Sequence, residues 1–206
     1  MAAGKKYLAY HIGDRKVPSV TQVLGIIDKP GLLEWSCRLG IKEANRQRDD
    51  AGKFGHEVHD AIEVWATRDD RPIPQHVQKA LGWFIEWSEQ YVEEWVCFEQ
   101  AVFHDELLYA GTSDAFAIMK GSRKLVLVDF KTSKSMRDTY DLQVAAYLNA
   151  TRIEHPGIDL SKVDGAIILH MNRKSEKWEA HPVQDLPGKW EAFKAALTLY
   201  KWRNYG

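Results

Sequence analysis

The chain has 206 residues, a formal net charge of -1, and 45% hydrophobic and 28% charged residues. That balance describes a soluble globular protein long enough to bury a core, and it excludes a disordered tail, a bundle of membrane spans and a uniformly basic nucleic-acid coat. No apolar run approaches the roughly 20 residues that cross a bilayer, and the first residues lack an apolar signal core, so a cytoplasmic location with no membrane contact is expected.

In chain order, residues 7–17, from Tyr7 onward, read as a short hairpin that turns at Ile12-Gly13-Asp14-Arg15. Pro18-Ser19-Val20-Thr21 offers capping hydroxyls to a short helix carrying Val23, Leu24 and Ile27, which Asp28-Lys29-Pro30-Gly31 stops. Helical spacing resumes at Leu32, Trp35, Leu39 and Ile41, passes through a polar stretch to Arg48 and restarts near Lys53. After Lys53, Val58, Ile62 and Trp65 form an apolar stripe, and His56, His59 and Glu63 form a polar stripe beside it. Polar residues next to a buried edge are site candidates.

A third helix is predicted over 74–94, with Leu81, Phe84, Trp87, Ser88 and Tyr91 inward. Three β-rich segments follow at 96–103, 109–119 and 125–130, separated by polar turns. A helix is expected over 137–152, a hairpin from 163–171 and 177–183, and a final amphipathic helix with Trp190, Phe193, Leu197 and Tyr200 on one side. This order predicts an α/β fold, a central mixed β-sheet flanked by helices with a helical N-terminal portion, in a single domain over 1–206. Cys37 and Cys97 are the only cysteines, too few for a disulfide framework or a four-thiolate metal site, and both are expected to be reduced and buried.

The most informative stretch is Val128-Asp129-Phe130-Lys131, which ends the apolar run Leu125-Val126-Leu127-Val128. An interior strand is expected there, and charges directly after it need a partner or a metal. Asp129 and Lys131 stand two residues apart, so in a strand their side chains leave the same face while Phe130 turns to the other. A second carboxylate, Asp114 of Gly111-Thr112-Ser113-Asp114, on a preceding strand would complete a pocket for a hard divalent cation and a phosphate. Gln143 and Tyr147 lie one turn apart on the next helix; an alternative reading makes Tyr147 a core residue. Lys134, Ser135 and Arg137, between strand and helix, are placed for phosphate contacts. Arg38, Lys42, Arg46, Arg48 and Lys53 form a second basic run, which equally describes a solvated helix face.

Taken together in this order, Gly55-His56-Glu57-Val58-His59, Gly111-Thr112-Ser113-Asp114, Asp129-Phe130-Lys131 and Gln143-Val144-Ala145-Ala146-Tyr147 resemble the PD-(D/E)xK nucleases, more narrowly their RecB-like and Cas4-like exonuclease branch. The resemblance runs from about Ser19 to Tyr147 and implies a restriction-endonuclease-like fold. It implies that His59, Asp114, Asp129 and the Phe130 carbonyl hold Mg2+ or Mn2+, that Lys131 positions water or steadies phosphate charge, and that Gln143 and Tyr147 act beside the metal or on DNA. A histidine ligand suits manganese better than magnesium, so activity with magnesium and at least equal activity with manganese is expected. His56 competes with His59 as ligand, Glu63 is a candidate to orient His59, and Glu99 is a further candidate carboxylate preceding the Gly-Thr-Ser-Asp strand.

The activity so implied is a metal-dependent DNA nuclease, foremost an exonuclease of recombination, repair or viral DNA processing, on single-stranded DNA or duplex ends. The alternatives are a structure-selective endonuclease and a nuclease-fold protein that binds DNA without cutting it. The missing cysteines disfavour an iron–sulfur Cas4-like subtype, and no Walker-type phosphate loop is present, so a helicase or recombination protein would act as a partner in trans. A homo-oligomer, and a virus-encoded origin, are compatible with this reading. His59-Asp60 as the core of a helical histidine–aspartate phosphohydrolase ranks well below it, because the middle of the chain reads as strands.

Overall fold

The computed structural model describes residues 9–27 and 30–205. Tyr7, Asp28 and Lys29 lie outside the described residues, as does the side chain of Leu32. The expected hairpin pairs β1 (Tyr10–Ile12) with β2 (Arg15–Val17) around Gly13. Helix α1 (Val20–Leu24) starts at a capping box: the Ser19 hydroxyl accepts the Gln22 N–H at 3.1 Å, and the Gln22 side-chain oxygen accepts the Ser19 N–H at 2.8 Å.

Helices α2 (Pro30–Leu39) and α3 (Ile41–Thr67) meet at Gly40, with φ of 81°. The break expected between Arg48 and Lys53 is absent. Arg46 ion-pairs with Glu43 one turn before it and Asp50 one turn after it, at 2.7 and 3.5 Å, and Arg48 reaches Asn45. Pairs at helical spacing thus carry the helix through a stretch that has almost no apolar stripe.

A short 3-10 turn at Gln75–Val77 leads into α4 (Gln78–Tyr91). This helix ends before the expected boundary because Val92 already pairs with Met119, so β3 runs over Val92–His104 against β4 (Tyr109–Met119). The next strand, β5 (Leu125–Lys131), is antiparallel to β4. Helix α5 (Asp138–Leu148) stops short of Arg152, where the Asn149 side chain donates to the Ala145 carbonyl, and Arg152–Ile153 becomes β6 on the edge of β3. Strands β7 (Gly165–Asn172) and β8 (Lys177–Pro182) form the expected hairpin, and α6 (Leu186–Tyr205) closes the chain.

The six strands make one sheet in the order β6-β3-β4-β5-β7-β8, in which β5 and β7 run parallel, joined by the crossover through α5, and the other pairs are antiparallel. The architecture is therefore α/β, a mixed central sheet with helices and a helical N-terminal part. Alternation along β5 divides two cores. Leu127 packs with Phe116, Ile168, Val144 and Phe193 under α1, α5 and α6, whereas Val126, Val128 and Phe130 pack with Leu169, Met171, Phe84 and Trp87 under α3 and α4. Among the described residues, no helix is long and apolar enough to cross a membrane. Cys97 is half-buried, and burial pushes its thiol up to about 12, while Cys37 is exposed, contrary to expectation, because it falls on the outer side of α2.

Phe84 is fully buried, with ring centroids of Trp65, Trp95 and Phe130 at 5.2, 5.3 and 5.4 Å. Replacing Phe84 with Ala should remove this junction between α3, α4 and the sheet and cost about 3–5 kcal/mol. Urea denaturation followed by circular dichroism should show the midpoint falling accordingly, with the fold retained in water.

Candidate active site

The site begins where two strands part. The β4–β5 ladder ends at Ala115 opposite Val128, while β5 continues beside β7 as far as Lys131 opposite His170. Beyond that last pair, the Phe130 N–H donates to Asp114 Oδ2 at 2.7 Å. A side-chain carboxylate has replaced a main-chain acceptor, which keeps a buried donor satisfied. Asp114 is 7% exposed and Asp129 0%.

Across this opening lies His59 from α3. Its Nδ1 is 3.7 Å from Asp114 Oδ1 and 3.6 Å from Glu99 Oε1, and its Nε2 is 3.2 Å from the Phe130 carbonyl oxygen. Since the carbonyl can only accept, Nε2 carries hydrogen in this arrangement and Nδ1 faces the carboxylates. Ligand atoms of His59, Glu99 and Asp114 all lie within 4.8 Å of one another. Gly55, one turn before His59, lets α3 come close to the segment after Lys131: a Cβ there would sit 3.3 Å from Thr132 Oγ1.

Glu99 reaches the group through an unusual backbone. It lies inside β3 with φ of 48°, between Phe98 opposite Ala115 and Gln100 opposite Ser113. The other described non-glycine residues with positive φ, such as Arg68 and Arg123, stand at helix ends and turns. Strain held within a strand beside a candidate site is a marker that the sequence does not display.

Asp129 and Lys131 leave the same face, as their spacing predicts, with Nζ 2.5 Å from Asp129 Oδ2. The ammonium thus holds Oδ2 as an ion pair, while Oδ1 is buried with no hydrogen-bond partner among the described residues. Phe130 turns to the other face and joins the α3–α4 core. Lys131 Nζ also stands 5.1 Å from the centroid of the Tyr140 ring.

Electrostatics follow from burial. Burial pushes the Asp129 carboxyl up to about 6, Lys131 opposing and Asp114 adding, and it raises Asp114 likewise against the pull of His59 and Lys131. For His59 burial acts downward, but Asp114 and Glu99 outweigh it and push the imidazolium up to about 9. For Lys131 burial again acts downward, and Asp129 and Asp114 overcome it. The pocket therefore stabilises positive charge beside two buried acids.

Gln143 donates to the Tyr147 hydroxyl at 2.8 Å. Tyr147 is 2% exposed, and burial holds its hydroxyl well above the usual tyrosine range, with Asp129 and Asp114 adding. It is both a core residue and a neighbour of the acids. Its ring passes so close to β4 that a Cβ on Gly111 would lie 2.5 Å from Tyr147 Cε1.

Among the sequence candidates, His56 is exposed and stays outside the donor group. Glu63 pairs with Arg71 at 3.7 Å, which leaves the Phe130 carbonyl rather than Glu63 to orient His59. Both line the same cleft of 1340 Å³, as do Lys134, Ser135 and Arg137. The cleft also contains Arg173, from the turn between β7 and β8; its guanidinium carbon stands 3.8 Å from the Phe54 ring centroid. In the other basic run, Arg46 pairs with Glu43 and Asp50, and Lys53 approaches Glu57 at 3.9 Å, so two of its five charges are met on the helix itself.

No protein-family model and no curated protein matches this chain. Among the solved structures that do match, one described as "Crystal structure of SSO0001" is 13% identical, covers 92% of this chain and 79% of its own, and has a TM-score of 0.41. That likeness is too loose to bear on activity.

Gly111→Ala should force the Tyr147 ring away from β4, costing about 1–3 kcal/mol. The midpoint of urea unfolding should fall, and the tyrosine environment should change in near-ultraviolet circular dichroism; a variant as stable as the parent would contradict the close contact.

Proposed function

We propose that this chain is a metal-dependent deoxyribonuclease of the PD-(D/E)xK type, acting foremost as an exonuclease. The observation that carries the reading is the gathering of His59, Glu99 and Asp114 in one cleft that Lys131 also lines, with Asp129 buried against Lys131. The donor set fits a divalent cation: an imidazole nitrogen of His59 and carboxylate oxygens of Glu99 and Asp114 already lie within 4.8 Å of one another, and Asp129 Oδ1 is buried without a hydrogen bond among the described residues. Asp114, Asp129 and His59 would hold Mg2+ or Mn2+, with Glu99 close enough to join them and the Phe130 carbonyl fixing the imidazole. A divalent ion there supplies a water of lowered pKa and polarises the phosphate.

The chain's own groups provide the rest. Lys131, kept charged by Asp129 and Asp114, sets a positive charge where a phosphate oxygen gains negative charge. Tyr147 stays protonated beside the two acids, and Gln143 holds its hydroxyl in place. Lys134, Ser135, Arg137 and Arg173 line the path by which a nucleic-acid backbone would enter.

End-labelled single-stranded and duplex DNA, incubated with magnesium, manganese or chelator, tests this reading. The expected result is terminal nucleotide release with either metal, at least as fast with manganese, and none with chelator. Internal fragments would instead identify an endonuclease. Asp114→Asn, Asp129→Asn and Lys131→Ala should each lower cleavage by more than about 100-fold, while gel-shift binding persists. A Lys131→Ala protein that digests DNA at the parental rate would exclude the mechanism.

Arg173→Ala should weaken DNA binding without sequence preference and reduce the slope of log K against log salt by about 0.7–0.9. Fluorescence anisotropy over a salt series measures both effects.

A further inference from the structure

We propose that His170, Glu179 and His181 form a second cation site, suited to zinc or a similar borderline transition ion, on the hairpin of β7 and β8. The register brings the three together. His170 lies opposite Glu179, and Ile168 lies opposite His181; cross-strand partners share a face, and residues two apart on a strand do too. Ligand atoms of the three residues all lie within 4.8 Å of one another. This group shares no residue with His59, Glu99 and Asp114 and does not depend on the nuclease reading.

The state of His170 is the second, independent observation. The residue is 2% exposed, and its Nε2 meets the Ser133 carbonyl at 2.6 Å. A carbonyl only accepts, so Nε2 bears the hydrogen and Nδ1 presents a bare lone pair. That Nδ1 is buried and has no hydrogen-bond partner among the described residues. A ring nitrogen oriented by a carbonyl on its far side and bare on its near side is the usual preparation of a histidine ligand. Without an occupant, burying it costs free energy with no return.

The partners complete a coherent donor set. His181 Nε2 is also buried without a hydrogen bond, and it lies 3.5 Å from Glu179 Oε2. Glu179 Oε1 is held by Lys177 Nζ at 2.6 Å, which leaves Oε2, on the side of His181, for an ion. Two imidazoles and one carboxylate suit zinc rather than magnesium, and three protein ligands leave a fourth position for water. An ion there would tie the edge strand β8 to β7. Through His170 and Ser133 it would also steady the segment carrying Lys134 and Ser135 on the cleft wall.

Cobalt(II) and zinc, added as the metal alone to chelator-treated full-length protein, provide the test. Asp114→Asn serves as the background because it weakens the other donor group, while its side-chain oxygen still accepts the Phe130 N–H. In this background one equivalent of cobalt should bind, with visible absorption bands that zinc abolishes, and saturating zinc should raise Tm by about 5 °C. Adding His181→Ala or Glu179→Gln should remove both the bands and the Tm rise. These two residues are partly exposed, so their loss should leave the far-ultraviolet circular dichroism of the metal-free protein unchanged, which separates lost binding from lost folding. Absence of bands and Tm rise in the Asp114→Asn protein, or their persistence after His181→Ala, would overturn the site. Neither readout involves cleavage, so its failure is distinguishable from a failure of the nuclease reading.

Discussion

The hydrogen bond from the Phe130 N–H to the Asp114 carboxylate is the constraint on which the rest of the site depends. Two antiparallel strands can separate inside a protein only if the main-chain groups released from the ladder find other partners. Asp114 supplies one, so β4 and β5 diverge after Ala115 and Val128 while β5 stays paired to β7. The wedge that opens admits His59 from α3 on one side and Glu99 from β3 on the other. It also turns the Phe130 carbonyl toward the imidazole, so one residue uses its N–H, its C=O and its ring to join three parts of the fold.

Charge sets the character of this wedge. Glu99, Asp114 and Asp129 face His59 and Lys131, three potential anions against two cations, and both aspartates are buried. A fold selected for stability alone would fill such a place with hydrocarbon, because desolvating charges offsets most of their attraction. Here three carboxylates instead face two basic side chains in a partly open pocket. The cleft wall beyond it carries Lys134, Arg137 and Arg173 as well as acids such as Asp60 and Glu154, in a chain whose overall charge is nearly neutral.

The sheet also connects regions that are far apart in sequence. Lys131 lies opposite His170 on the parallel pair, and His170 holds the Ser133 carbonyl. The hairpin of β7 and β8 is thereby attached to the segment that follows β5, and Arg173 at its tip leans over Phe54 of α3. The cleft is thus walled by elements that hydrogen bonds, ion pairs and ring contacts hold in fixed relation. Helix α5 belongs to the same construction, because Tyr147 can approach β4 only where Gly111 offers no side chain.

Local rules made much of this molecule legible. Alternation and turn residues located β4, β5, β7 and β8, helical periodicity located the α3 stripe, and two-residue spacing placed Asp129 and Lys131 on one face before any tertiary contact was known. Boundaries were less legible where distant partners decide them: Val92 joins a strand because Met119 is there to pair with it, and Arg152–Ile153 is a strand because the edge of β3 is free. The site divides in the same way. The sequence by itself determined which residue types stand at which spacing, and therefore Asp114, Asp129, Lys131 and His59 as candidates. Only the tertiary structure decided that Glu99 joins them, that Glu63 turns to Arg71, and that Arg173 enters the cleft, because strand register, a left-handed residue inside β3 and the position of a hairpin tip depend on contacts between segments that no local pattern records.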